Sequence, residues 1–527
     1  MTSAELKKSM EPGEQSYMLC LFPGSFRANL SPLKLRLLPN HDGLDDSSLY
    51  WKLRGPNDAY YVSHDELCSK RGLYFYSFSD QNLENLDIHI DIIMGKVDSS
   101  SCCVVGQCAL VSSEFMDTKG LIRRPLISKD ILIVGELVFE YLIVRPWLPS
   151  VKNMREYLYA IKLNYTLPLL VGHRGKGAHS KSYVQENTLL SFLSATRDKR
   201  VKFIELDVQL SADGHPIVFH DFLITRKTQQ LDLDDMDIRK VERYPTIAVG
   251  SLSLKDFQRM AIYREGAAVT FYDSDHETRE SNGYHLRSKT SHGGRRNGTR
   301  SHSNSSSRSS SITSDLSGIA SHRSSDSDRD DMDEIPSLIE DHLPSLDEVL
   351  MKMPVDVGFF LEMKYPCPDY QQRKKLVVPD RNVFVDAVLD CVCKSFVEKK
   401  QRTIVFLSFD PDICYLLKCK QEYFPVLLLC SETRFSSDDH FDLRTMDIQN
   451  AVNWSIHQKL DGMAILSDIL FEKPNIVSEL KNNGLKVFCF GAITSQEDKA
   501  KNLIKLGVDG LIADNVTCLA KKLCDIL

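Results

Sequence analysis

Two rhythms of hydrophobic and polar positions divide the chain. From residue 17 to 145 short apolar or alternating runs are broken by turn residues, as in Leu33-Lys34-Leu35-Arg36-Leu37, Tyr74-Phe75-Tyr76-Ser77-Phe78, Ile88-His89-Ile90-Asp91-Ile92 and Glu136 to Val144. A period of two sends successive side chains to opposite faces, so this stretch predicts an antiparallel, all-β, sandwich-like domain. Residues 1–16 ahead of it read as a flexible amino terminus, and Pro146 and Pro149 punctuate a linker over 146–167.

From 168 to 527 the rhythm changes. Apolar runs of strand length appear at Leu169–Val171, Phe203–Leu210, Val357–Leu361, Thr403–Phe409, Val426–Leu429, Met463–Leu466, Lys486–Phe490 and Gly510–Ile512. Between them lie stretches of helical spacing, among them Asn187–Thr196, Val383–Val397, Ile413–Lys420, Ile476–Asn483, Asp498–Leu506 and Thr517–Leu527. With the short returning strand Ile217–Phe219 set aside, about eight strands alternate with helices, which favours an α/β fold of the (β/α)8 TIM-type barrel class over an open sheet. Residues 273–333 break the pattern, with few apolar positions and a serine-dominated stretch from Ser301 to Asp330. They predict a disordered insertion in the barrel. Its Arg295, Arg296, Arg300 and Arg308 ahead of the acidic Asp326–Glu334 would suit a phosphorylatable tether; the plainer reading is a tolerated surface insertion.

Composition narrows the function. A chain of 527 residues with 42% hydrophobic and 26% charged positions implies two or three folded units of ordinary globular make-up. Lys plus Arg number 65 against 72 Asp plus Glu, a net charge of -7, so no basic field draws the chain to nucleic acid. The 14 cysteines contain no CxxC pair, and neither Cys103/Cys108 nor Cys414/Cys419 has a matching second pair, which argues against a zinc module. Residues 1–14 have neither the apolar core of a signal peptide nor the make-up of a transit peptide, and Ile131–Val144, interrupted by Glu136 and Glu140, is too short to span a bilayer. A cytoplasmic protein without a transmembrane segment is expected, in which triplets such as Asn164-Tyr165-Thr166 are not glycosylation sites.

Candidate chemistry falls at the carboxyl ends of the predicted strands, where a barrel builds its site. Glu205 and Asp207, two apart on an apolar strand, face the same way, and Glu362 supplies a third carboxylate. Three oxygen ligands without cysteine suit Mg2+ or Ca2+ as the cofactor. His173 and His220 are the natural acid and base for phosphodiester cleavage, with either able to take either role. Arg174 and Lys364 would neutralise a phosphate, and Glu186, beside Asn187 at the start of a helix, would hold Arg174. The Gly172/Gly175/Gly177 pattern also permits a nucleotide loop, but no G-K-[ST] follows it.

Taken in order, His173-Arg174-Gly175, Glu186-Asn187-Thr188, Glu205-Leu206-Asp207-Val208, Ile217-Val218-Phe219-His220-Asp221, Glu362-Met363-Lys364 and the closing Gly507–Ile512 resemble the glycerophosphodiester phosphodiesterase family. Within it, Ile404–Cys414 and Gly484–Gly491 are most similar to the branch that cleaves glycerophosphocholine in the cytosol. The resemblance implies a barrel over about 168–520, a divalent metal held by Glu205, Asp207 and Glu362, and hydrolysis of glycerophosphocholine to choline and glycerol 3-phosphate. Other glycerophosphodiesters or lysophospholipids are the alternative substrates, and a non-catalytic metabolite-binding regulator is the alternative function. Attack by the substrate's own glycerol hydroxyl and attack by water are equally compatible with these residues. Where relatives often carry Phe-Cys-Trp-Gly, this chain has Phe488-Cys489-Phe490-Gly491, which leaves Phe490 as the aromatic face for a quaternary ammonium head group. The expected partner is thus a small-molecule substrate, with protein partners undefined. Relatives also imply an amino-terminal starch-binding module, for which a chain beginning its sandwich near Tyr17 would have no room.

Overall fold

The computed structural model describes residues 16–24, 33–35, 49–54, 59–63, 74–79, 87–94, 102–115, 117–148, 168–177, 184–225, 246–259, 342–398, 402–432 and 439–525. The expected flexible amino terminus, most of the expected linker and the serine-rich insertion lie outside these residues.

Among the described residues nine strands build the amino-terminal unit: β1 (Ser16–Pro23), β2 (Leu33–Leu35), β3 (Leu49–Arg54), β4 (Ala59–Ser63), β5 (Tyr74–Ser79), β6 (Ile88–Met94), β7 (Cys103–Leu110), β8 (Lys119–Ile127) and β9 (Ile133–Val144). They join in one antiparallel sheet of order β4-β3-β6-β7-β8-β9-β1-β5, with β2 paired to the first half of β9. The sheet curls over its own core. Trp51 of β3 meets Phe139 of β9 edge-on at 5.6 Å, although three strands separate them in the sheet.

Alternation gives β1 and β9 two cores to serve. Leu19 and Leu21 with Leu137, Phe139, Tyr141 and Ile143 point into the sheet's own core. The intervening Cys20 and Phe22 with Leu142 and Val144 join the apolar cluster of the barrel's outer layer. A strand buried on both faces loses its polar alternation, which is why Leu137–Val144 reads as a nearly continuous apolar run.

The second unit is a closed barrel of eight parallel strands: β10 (Leu169–Gly172), β11 (Phe203–Leu210), β15 (Gly358–Met363), β16 (Ile404–Ser408), β17 (Val426–Cys430), β18 (Gly462–Leu466), β19 (Lys486–Phe490) and β20 (Gly510–Ala513). β10 pairs with both β11 and β20, which closes the ring. β12 (Pro216–Val218) returns antiparallel on β11, as the sequence rhythm suggests, and β13 (Leu223–Thr225) with β14 (Thr246–Ala248) forms a small ribbon. Helices lie where the pattern predicts them to within a few residues. The stretch expected at Asn187–Thr196 is helical over Leu189–Ala195, because the Thr188 hydroxyl caps Ser191 N and sets the start. The helix Pro411–Lys420 starts on Asp410 in the same manner.

The two units meet across a buried ionic cluster. Asp412 receives Arg444 Nη1 at 2.7 Å and the Lys119 ammonium from β8. Burial raises the Asp412 carboxyl, but Arg444 and Lys119 outweigh it and hold the group well below the usual carboxylate range. A folded-state value below the unfolded one, near ~3.9, means stability that is present above about pH 4 and is lost as pH falls further. Asp412→Asn is expected to cost about 3–5 kcal/mol, since it breaks the buried ion pairs that Lys119 and Arg444 make with this carboxylate, and to flatten the acid limb of the stability profile. Urea titrations between pH 3 and 7 measure both, and a variant with the wild-type acid limb would refute the assignment.

Candidate active site

Strand register places the three carboxylates, His173, Lys364 and Asp514 of the site. The barrel interior is filled by Leu169, Val171, Phe203, Phe360, Val405, Leu407, Leu427, Leu429, Ala464, Phe488 and Ile512. Counting on by twos along each strand keeps to the inward face, and at the carboxyl ends this reaches His173, Glu205 and Asp207, Glu362 and Lys364, Phe409, Phe490 and Asp514. Asp207 is level with Glu362 across β11–β15, Gly172 with Ile204 across β10–β11, and Gly172 with Ala513 across β10–β20. His173 therefore stands between Glu205 and Asp514.

Oxygens of Glu205, Asp207 and Glu362 lie within 4.8 Å of one another, and all three residues are buried. Burial, reinforced by Asp207, pushes the Glu205 carboxyl up to about 8, and burial pushes Glu362 up to about 7. Among the described residues Glu205 Oε1 and Asp207 Oδ1 accept no hydrogen bond, and Glu362 Oε1 lies 3.4 Å from the Lys364 ammonium. Crowded, desolvated carboxylates with unclaimed oxygens fit a hard divalent cation, which would supply the missing charge. The second oxygens are already spoken for. Glu205 Oε2 accepts from Arg174 N at 2.9 Å, and Asp207 Oδ2 accepts from Asn187 Nδ2 at 2.7 Å.

Arg174 donates to Glu186 Oε1 at 2.9 Å and lies 3.3 Å from Asp207 Oδ2. Arg174 and Asn187 both adopt left-handed backbone, with φ of 48° and 56°. Such strain at non-glycine residues clusters at functional sites. Gly175, at φ 87°, would drive a Cβ to 2.5 Å from Ser191 Oγ, and one on Gly177 would come 2.5 Å from Asp514 Oδ1. The glycine pattern thus serves close packing of this loop.

Both histidines are oriented through Nδ1. His173 Nδ1 meets Asp514 Oδ1 at 2.8 Å, while its Nε2 lies 4.0 Å from Glu205 Oε2. His220 Nδ1 meets Asp221 Oδ1 at 2.6 Å, and Gln209 Nε2 fastens the same loop by donating to the carbonyls of Phe219, His220 and Asp221 at 2.8–3.2 Å. Burial lowers the His173 imidazole, but Asp514 outweighs it and the group rises to about 9. Burial, then Arg174 and Lys364, drive His220 well below its ordinary value.

Phe490 stands apart from the carboxylates, on β19, where its ring meets Phe409 edge-on at 6.0 Å. Phe409 in turn stacks on His440 at 4.3 Å, and burial lowers the His440 imidazole to about 4. The structure thus gathers His173, Arg174, Glu186, Asn187, Glu205, Asp207, Glu362 and Lys364 into one contact network and places Phe490 on an aromatic wall. The sequence reading passes over Asp514, Gln209, Phe409 and His440. Asp514 and Phe409 carry a usable signal, since each lies two residues beyond an inward apolar residue at a strand end. His440 lies on a segment without strand periodicity.

Residues 173–517, more than half of the chain, match the model of the glycerophosphoryl diester phosphodiesterase family. The glycerophosphocholine phosphodiesterase of Homo sapiens is 27% identical over 466 residues, covering 84% of this chain and 59% of that protein. The glycerophosphocholine phosphodiesterase of Candida albicans is 28% identical over 415 residues, covering 76% of this chain and 32% of that protein. The chain therefore spans less than two thirds of the length of either relative. A solved Oleispira antarctica phosphodiesterase, in complex with sn-glycerol-3-phosphate, is 16% identical with a TM-score of 0.40, covering 68% of this chain and 97% of that one.

The geometry predicts that a divalent cation titrated into the protein binds at the three carboxylates, and that Asn187→Ala weakens binding about 10- to 100-fold by releasing Asp207. Isothermal titration calorimetry reads this directly. Unchanged affinity in the variant would show that Asp207 needs no support from Asn187.

Proposed function

The chain belongs to the glycerophosphoryl diester phosphodiesterase family, and from that premise we propose that it hydrolyses glycerophosphocholine to choline and glycerol 3-phosphate with the help of Mg2+ or Ca2+. The observation that carries this reading is the cluster of three buried carboxylates beside His173, itself oriented by Asp514, at the carboxyl ends of the barrel strands. The names of the human and yeast relatives support the choice of substrate.

Glu205, Asp207 and Glu362 would hold the metal, which when bound would supply positive charge against the phosphate oxygens. Arg174 offers a planar fork and Lys364 a point charge to the same phosphate, and both are already positioned by carboxylates. Because Nδ1 of His173 and of His220 is occupied by Asp514 and Asp221, each ring exchanges its proton at Nε2. One removes the proton of the attacking oxygen and the other protonates the departing one. Glu186 keeps Arg174 in place, and Asn187 does the same for Asp207.

Phe490, with Phe409 and His440 beside it, receives the cationic head group. Burial keeps His440 uncharged near neutral pH, so its ring does not repel an ammonium. A cytoplasmic setting accords with the described cysteines, all of them free thiols, and with the described helices, none long and apolar enough to cross a membrane.

Purified protein is expected to release choline and glycerol 3-phosphate from glycerophosphocholine with Mg2+ or Ca2+ and not with chelator. His173→Ala and Glu205→Ala should each lower kcat by about a hundredfold to ten-thousandfold. Near-normal turnover by either variant, or release indifferent to chelator, would sink the mechanism. Turnover confined to other glycerophosphodiesters or to lysophospholipids would move the substrate and keep the chemistry. Phe490→Leu is expected to raise KM for glycerophosphocholine about twofold to thirtyfold with kcat little changed, the range of a lost cation–π contact.

A further inference from the structure

One side chain of the sandwich reaches into the framework that carries the aromatic wall. Lys119, the first residue of β8, sets its ammonium on Asp412 Oδ2 and 3.6 Å from Glu140 Oε2 of β9. The other oxygen of Asp412 receives Arg444 Nη1 at 2.7 Å. Arg444 also forks onto Asp442, from Nε to Oδ1 at 2.8 Å and from Nη2 to Oδ2 at 2.7 Å. Asp442 lies two residues beyond His440. On the opposite side Arg381 lies 4.0 Å from Asp412 Oδ2 and donates twice to Asp410 Oδ2, at 2.7 and 3.1 Å. Asp410 directly follows Phe409. Both segments that bear the wall are therefore tied to the carboxylate that Lys119 neutralises.

Charge arithmetic makes Lys119 decisive. Among the described residues Lys119, Arg381 and Arg444 face Glu140, Asp410, Asp412 and Asp442, three cations against four carboxylates, and Asp412 and Arg444 are each 1% exposed. Each arginine already divides itself between two carboxylates. Without the ammonium, two arginines must serve four carboxylates, and Arg444 can give more to Asp412 only by loosening Asp442. None of these groups belongs to the catalytic set.

We infer that Lys119 is a positioning residue for the substrate's cationic head group, through which the β-sandwich holds Phe409 and His440 in place. The inference rests on the head-group reading given above. The amino-terminal domain thereby acts as a fixed support of the barrel's wall. Other contacts keep the domains docked when this charge is lost: Asn382 Nδ2 donates to Thr118 Oγ1 at 3.1 Å and to Ile143 O at 2.9 Å, and Phe22 packs against Tyr415 and Trp454. The effect therefore falls on head-group selection and leaves the chemical step alone.

The test compares kcat and KM of the full chain on glycerophosphocholine and on glycerophosphoglycerol, whose head group is neutral. In Lys119→Met the preference for the cationic substrate is expected to fall between about threefold and thirtyfold, through KM, the range of a misplaced cation–π partner. Turnover of the neutral substrate should change less than about twofold. Lys119→Arg should restore the preference, and Asp442→Asn, which loosens the same segment from its other end, should reproduce the loss even if Lys119→Met fails to fold. An unchanged preference in the variants, or an equal fall on both substrates, overturns the inference. If the wild type itself shows no cationic preference, the head-group reading fails. Amide hydrogen exchange then decides whether the strut exists: a larger increase over the wild-type rate across 439–446 than across 486–513 in Lys119→Met supports it, and equal increases overturn it.

Discussion

Closure of the parallel barrel is the constraint on which the site depends. Because β10 pairs with β11 on one side and β20 on the other, residues remote in sequence are fixed level with one another, and Gly172, Ile204 and Ala513 become neighbours. The residue after each of these is a titratable group of the candidate site: His173, Glu205 and Asp514. The same registry sets Asp207 beside Glu362. A one-residue slip would turn each of these groups to the helical layer, where apolar packing has no place for charge.

The site spends this order on keeping charge crowded and dry. Glu205 and Glu362 are buried close to Asp207, and burial raises both carboxyls into the neutral range. Opposite charge is rationed. Arg174 divides itself between Glu186 and Asp207, while Lys364 lies near Glu362. That balance leaves room for one more positive charge and for an anionic phosphate, and the left-handed backbone at Arg174 and Asn187 is the strain through which the loop reaches it.

A second buried charge cluster does different work. Around Asp412 the cations and carboxylates are nearly matched and tied to two domains, so the cluster fixes geometry at the domain boundary. Its setting explains the unusual burial of β1 and β9, whose alternate residues complete two separate cores. The amino-terminal sheet is thereby part of the wall of the barrel's outer layer.

The barrel and the carboxylate–histidine set were legible in the chain because their signals are local. A strand's period of two and a helix's spacing are written in consecutive residues, and Glu205-Leu206-Asp207 declares by itself that two carboxylates share a face. The same parity would have disclosed Asp514 and Phe409, each two steps past an inward apolar residue, once the strand ends were known. Gln209 clasping the His220 loop, His440 stacking on Phe409 and Lys119 crossing to Asp412 left no such trace. Those contacts join residues 11 to 293 positions apart or on irregular segments, where no period links sequence to direction. Local periodicity thus determined which strands and carboxylates this protein has, while only the closed, docked tertiary structure decided which partner each charge would meet, because that choice is made by distance in space and by burial.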